Sequence, residues 1–203
     1  MKNKIEIGVI KIVLLIGFVS CQIQGLNINY KRLNESEKGY FVPYNPELLF
    51  QKVNNDLGTL KIQQISSDTI KEILLRYPFV CYYSWVPYCS SSKCENLKFY
   101  SDLEERYKQW DLRFLIVNET YDIADIKQRV LTSGFDKQLY VIEHNKEKYG
   151  ENRNKVLRKF MKEINGTDQI YSYQFYYKSQ LIYQGYECSE NIIDSLVKCY
   201  IKK

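Results

Sequence analysis

Two uninterrupted runs limit what this chain can fold into. FVCYYSW, Phe79 to Trp85, and LRFLIVN, Leu112 to Asn118, are aromatic, β-branched or aliphatic almost throughout, with none of the polar alternation of a half-wet strand. Strands of this kind are buried on both faces, as in a parallel sheet, so the rest of the chain must supply helices for each side. It does. SSDTIKEILLRYP reads as a helix capped by Ser67 or Asp68 and stopped before Pro78, with Ile70, Ile73, Leu74 and Tyr77 on one side. Residues 90 to 109 form the next helix, YDIADIKQRVLTSG is a helix closed by Gly134, and NRNKVLRKFMKEI is amphipathic through Val156, Leu157, Phe160, Met161 and Ile164. LKIQQI and QLYVIEH read as further strands. NPELLFQKV reads as a helix with Asn45 as cap and Pro46 in its first turn. YSYQFYYKSQLIYQGY predicts two strands joined by a tight turn near Lys178 to Gln180, and SENIIDSLVKCYIKK a last helix capped by Ser189. Strands alternating with helices, then a hairpin and a final helix, define an α/β class: a mixed sheet flanked by helices.

The 203 residues give room for one domain and a short appendage. The start, MKNKIEIGVIKIVLLIGFVSC, carries lysines and then an apolar run, Ile12 to Val19, far shorter than the roughly 20 residues of a spanning helix. It reads as an export signal. Its end, FVSC, resembles the lipobox of bacterial lipoproteins, which implies lipidation of Cys21, a membrane partner reached through that lipid, and a place in the cell envelope. Residues 22–44 are polar and poor in periodicity and read as a flexible tether, leaving 45–203 as the folded domain. Lys2, Lys4, Lys11 and Glu6 contribute a net +2 of the formal +5, leaving +3, too little to argue for nucleic acid. The bases are interleaved with acids, as in KYGENRNKVLRKFMKE, which reads as a solvated helix face.

Export gives the cysteines an oxidising compartment in which thiols can pair. Cys89 and Cys94 stand out in SWVPYCSSSKCENL, at the seam between the first buried strand and the helix after it. A thiol at a helix N-terminus faces unpaired N–H groups and the positive end of the macrodipole, which favour thiolate, and Lys93 adds a positive charge. Cys89 is therefore the expected nucleophile and Cys94 its resolving partner. In a continuous helix, five residues separate two sulfurs by about 7.5 Å along the axis and ~140° around it. That exceeds the ~7 Å Cα limit for a disulfide, so a direct bond requires an unwound first turn, for which Ser90, Ser91 and Ser92 are suitable.

Trp85, Pro87 and Cys89 match the WxPxC that opens the active site of the thioredoxin superfamily, and the chain resembles that family over about residues 59 to 203. The order strand, active-site helix, strand, helix, antiparallel hairpin and final helix is similar too, with an insertion before the hairpin that holds QLYVIEH and its helices. The resemblance implies a thioredoxin-like fold and thiol-disulfide exchange with a protein disulfide substrate or redox partner, without a cofactor. Two features depart from the family. Four residues rather than two separate the cysteines, and Ser172 stands where the family keeps a cis-proline that docks peptide substrates. Sco-type copper chaperones share the fold and use two loop cysteines with a distant histidine, here necessarily His144, but their spacing differs and no metal is expected.

The other cysteines read as packing groups: Cys81 within a buried strand, Cys199 on the face of Ile192 and Leu196, and Cys188 too far from Cys199 to bridge it. Tyr171, Tyr173, Phe175 and Tyr177 alternate along the hairpin, a pattern better explained by packing on a helix than by a ligand platform. Two function classes follow: an envelope thiol-disulfide oxidoreductase acting through Cys89 and Cys94, or a catalytically inactive thioredoxin-like lipoprotein that serves as a binding or scaffolding module.

Overall fold

The computed structural model describes residues 28–53, 55, 59–88 and 96–202. In chain order the elements are α1 Glu35–Lys38, β1 Phe41–Pro43, β2 Ile62–Ile65, α2 Ser67–Arg76, β3 Phe79–Trp85, α3 Leu97–Arg106, β4 Leu112–Asn118, α4 Ile123–Ser133, β5 Leu139–Ile142, α5 Lys146–Tyr149, α6 Arg153–Asn165, β6 Tyr173–Tyr177, β7 Gln180–Gly185 and α7 Glu190–Leu196, which runs on into a π-helical turn, Val197–Ile201. One sheet joins all the described strands in the order β1-β2-β5-β4-β3-β6-β7. The pairs from β1 to β3 are parallel, and β6 and β7 are antiparallel to their neighbours. This is the mixed, helix-flanked α/β sheet that the sequence predicts.

Chain direction explains the two helical layers. From β2 the chain crosses the sheet to β3 and then steps back through β4 to β5. Right-handed crossovers in these opposite directions place α2 on one face and α3 and α4 on the other. The contacts agree, since α2 packs with α6, and α3 packs with α4. α7 joins the α3 layer, where the Tyr107 hydroxyl donates to Asp194 Oδ1 at 2.7 Å and Arg106 pairs with Glu190. The two apolar runs of the sequence form the middle of the core. All of β3 is buried, and β4 is buried except at Arg113. β5, from the insertion, wedges between β2 and β4 and is buried throughout. The hairpin turns at Lys178 and Ser179, both left-handed at φ 48° and 66°, as a tight two-residue turn on a twisted ribbon requires.

Four expectations need correction. NPELLFQKV makes only one 3₁₀ turn, Pro46–Leu48, because Leu49 leaves the helical region to bury its side chain and Phe50 turns left-handed at φ 57°. The cap of α2 is Ser66, whose side chain accepts from Thr69 N, one residue earlier than the sequence indicates. Cys199 is exposed rather than packed, because the π turn widens the helix and rotates it off the Leu196 face.

The fourth concerns the tether, which from Ile28 onward is folded on the domain. Ile28 and Phe41 are buried, and β1 extends the sheet. Asn34 and Glu37 close a capping box at the start of α1. Ile28 N donates to Glu151 O at 3.1 Å and Ile28 O accepts from Tyr121 N at 2.7 Å. The Tyr30 ring stacks on His144 with centroids 3.9 Å apart. A few large side chains, rather than a periodic pattern, hold this strap, so periodicity did not reveal it.

The His144 ring is also met edge-on by Tyr121 at 6.3 Å, and its Nε2 is buried without a hydrogen-bond partner. Burial holds its proton affinity below the ordinary value of 6.5, with Glu151 opposing and Lys31 and Lys146 reinforcing the shift. A base depressed in the folded state contributes stability that is complete above 6.5 and declines as pH falls below it toward the folded value. Urea unfolding of the full chain between about pH 7.5 and about pH 5.5 should therefore show a larger loss of midpoint in the wild type than in His144→Phe. An equal loss in both chains would assign the pH dependence to other groups.

Candidate functional site

β3 ends at Trp85, where the sheet changes from parallel on the β4 side to antiparallel on the β6 side. The segment that leaves it, Trp85 to Tyr88, is fixed by groups from several elements. Trp85 is 4% exposed, and its carbonyl accepts from Glu119 N at 2.9 Å. Pro87 is buried, and its carbonyl accepts from Arg129 Nε of α4 at 2.9 Å. Tyr88 is half-buried, and its hydroxyl accepts from Arg153 Nη1, on the first residue of α6. Ser172 lies on the other flank, where its carbonyl accepts from Ser84 N at 2.8 Å, one residue before Trp85.

A charged pair lies under this segment. Glu119 follows β4 directly, and its side chain is 11% exposed. It accepts from Ser84 Oγ through Oε1 at 2.7 Å, while Oε2 stands 3.3 Å from Arg153 Nε, an ion-pair separation without the alignment of a hydrogen bond. Burial raises the carboxyl's proton affinity, and Arg153 and the Ser84 hydrogen bond oppose that rise. Ser84, Glu119, Arg153 and Tyr88 thus form a continuous polar chain from the core to the loop.

Aromatic hydroxyls gather behind the same strand. Tyr100, in the first turn of α3, shares a 2.6 Å hydrogen bond with Tyr173 of β6, and the Tyr83 ring stacks on Tyr173 with centroids 4.6 Å apart. Burial drives the proton affinities of Tyr100 and Tyr173 far above the phenol range, so both remain neutral hydroxyls. Tyr173, Phe175 and Tyr176 are buried and Tyr177 half-buried, so packing accounts for the aromatic pattern of the hairpin.

Of the residues singled out in the sequence, the structure places Trp85, Pro87 and Ser172 around one segment. Cys89, Lys93 and Cys94 lie outside the described residues, as does Cys21. Cys89 follows Tyr88 in the chain, and Cys94 stands two residues before Asn96, the cap of α3, whose side chain accepts from Lys98 N. The first described helical residue after the motif is Leu97, later than position 90. Cys81 is buried, and burial pushes its thiol well up, as befits a packing group. Cys188 is half-buried against the core.

No protein-family model and no curated protein matches the chain. Among solved structures it is similar to one described as "a putative thiol-disulfide oxidoreductase from Bacteroides vulgatus", at 12% sequence identity and a TM-score of 0.39, covering 61% of this chain and 74% of that one.

Sequence reasoning missed Glu119, Arg129 and Arg153. Glu119 carried a legible signal, a carboxylate placed directly after a largely apolar buried strand. Arg153 sits in the KYGENRNK stretch read as a solvated face, and its contact with the loop corrects that reading at this position. Nothing in local periodicity marks it, because its partners are 34 and 65 positions away.

Ser84→Ala tests the buried part of this chain. It removes the donor to a largely buried carboxylate, and unfolding in denaturant should show a loss of about 1.5–3 kcal/mol, the size expected for a hydrogen bond to a charged group. A change near zero would mean that water replaces the hydroxyl.

Proposed function

We propose that this chain is a thiol-disulfide oxidoreductase acting through Cys89 and Cys94. The observation that carries the reading is the convergence of β3, β4, α4, α6 and Ser172 on Trp85–Tyr88, the segment that leads directly into Cys89. Loops beyond the carboxyl ends of parallel strands, where sheet order changes, are where open α/β sheets place their chemistry. The buried Trp85 and Pro87 and the arginine contacts favour a defined rather than a loose approach to the first cysteine.

In the proposed reaction the Cys89 thiolate attacks one sulfur of a substrate disulfide. A mixed disulfide forms and the other substrate sulfur leaves as thiolate. The Cys94 thiolate then attacks the Cys89 sulfur, forming the Cys89–Cys94 disulfide and expelling the second substrate thiolate. A dithiol partner returns the pair to the reduced state. Lys93, four residues after Cys89 in the chain, would supply positive charge favouring the thiolate, and Ser172 flanks the segment through its bond from Ser84 N. With Cys21 lipidated, the domain would work at the surface of an envelope membrane.

One observation favours the binding module instead. Ser172 replaces the docking proline, and the described residues contain no cis peptide bond. The two readings separate in a glutathione redox titration of the full chain in detergent, with Cys89 and Cys94 followed by alkylation and mass spectrometry. The oxidoreductase reading expects a reversible disulfide with a potential between about −120 and about −270 mV, lost in Cys89→Ser and Cys94→Ser. Two thiols that stay reduced across the series would overturn the oxidoreductase reading and leave the binding module.

A further inference from the structure

The two outer strands of the sheet are finished differently. β1 is three residues long and ends on Pro43, which has no N–H to offer a further strand. β7 pairs with β6 on one side, and no strand among the described residues meets its other side. None of its six residues is buried, whereas β6 beside it is buried except at Tyr177. The strand carries neither a charge nor a proline, two of the usual means of blunting an open edge. Apolar surface adjoins it, since Leu181 and Leu75 of α2, 37% and 77% exposed, border one groove of about 360 Å³.

We propose that β7 is a dimerisation edge, on which the same strand of a second copy of this chain pairs antiparallel about a twofold axis. Charge selects this occupant. The first charges beyond the strand are Lys178 before it and Glu187 after it, both exposed, and neither makes an ion pair among the described residues. An antiparallel pair centred between Ile182 and Tyr183 sets Lys178 of each copy opposite Glu187 of the other, whereas a parallel pair would set like charge against like. Face selects it as well. Residues opposite one another in a ladder point to the same face, and a twofold axis normal to the sheet leaves the faces unchanged. This register places Gln180 opposite Gly185 and Leu181 opposite Gln184, pairs that a regular strand would point to opposite faces. Here the register against β6 slips by one residue between Phe175 and Tyr176, so Gln180 lies beside Tyr177 and Gly185 beside Tyr173, two residues of one face. Leu181 and Gln184 are matched on the other face through Tyr176 and Gln174. The bulge that would spoil alternation against a regular foreign strand thus suits β7 to its own copy.

The test is sedimentation equilibrium of the full chain in density-matched detergent, which reads protein mass against concentration. Reductant is present, so that dimers linked through the exposed Cys199 do not form. The wild type is compared with Lys178→Glu, Glu187→Lys, the double exchange Lys178→Glu/Glu187→Lys, and an equimolar mixture of the two single variants. Circular dichroism checks that each variant folds. Pairing through β7 predicts a monomer–dimer equilibrium in the wild type. Each single variant sets like charges opposite one another at both ends of the pair and should raise the dissociation constant about tenfold. The double exchange restores opposite charges and should return the constant to the wild-type value, as should the mixture, in which a Lys178→Glu chain meets a Glu187→Lys chain. In the wild type alone, amide hydrogen exchange over 180–185 should slow as concentration rises, which keeps the test valid if a variant does not fold. A wild type that stays monomeric, with exchange independent of concentration, overturns the proposal and leaves the edge to a strand of another protein. A dimer that both single variants leave unchanged, or a mixture as weak as the single variants, also overturns it by placing the association elsewhere.

Discussion

Burial of β3 on both faces is the constraint on which the rest of the molecule depends. Every residue from Phe79 to Trp85 is withdrawn from water, so the strand can exist only with a hydrogen-bonded neighbour on each edge and a helical layer above and below. β4 and β6 supply the edges, with seven paired positions on one side and five on the other. At about 25 cal/mol per Å² of apolar surface, a strand holding Phe79, Val80, Tyr82, Tyr83 and Trp85 is among the largest contributions to stability in the chain. The loop that follows therefore starts from a rigid point. Trp85 to Tyr88 inherit their position from the core.

The insertion is part of that core rather than an ornament on it. β5 pairs with both β2 and β4, so removing it would leave two sheet fragments with exposed edges. Its helix α6 packs on α2, and Glu163 on that helix accepts from the Ser67 and Tyr149 hydroxyls. Because β5 sits beside β4, the chain that leaves it returns past the end of β4, and this brings the start of α6 to Glu119. Arg153 reaches the loop as a consequence of strand order.

Much of the fold was legible because its signals are local or periodic. The two apolar runs, the proline stops, the caps at Asn45 and Ser189, the Gly134 terminus and the tight turn at Lys178 and Ser179 each involve residues close in sequence. What was not legible depends on distant pairs. The strap from Ile28 to Pro43 is held by Glu151, Tyr121 and His144, none of which can be inferred from a polar segment of irregular composition. Cys199 was misplaced because a π turn breaks the period on which its assignment relied. In the candidate site, Trp85, Pro87 and Ser172 were found through a resemblance to known motifs, whereas Glu119 and Arg153 have no motif and are defined only by whom they touch.

The strap and the polar chain through Glu119 and Arg153 meet the same short connection between β4 and α4. Glu119 pairs with Arg153, Tyr121 N donates to Ile28 O at 2.7 Å, and Asp122 Oδ2 accepts from Asn29 Nδ2 at 2.9 Å. Across from it, Glu151 receives Ile28 N and pairs with Lys31 at 2.9 Å, two residues before Arg153. A disturbance of the strap therefore has a covalent path of only two residues to the Glu119–Arg153 pair on each side. Physical proximity of this kind is not itself coupling, which requires that one element have two arrangements biased by the other. The strap covers the His144 ring, whose proton affinity burial lowers, and the polar chain ends on Tyr88. Any rearrangement of Ile28 would fall first on its bonds to Tyr121 and Glu151, each two residues from the Glu119–Arg153 pair.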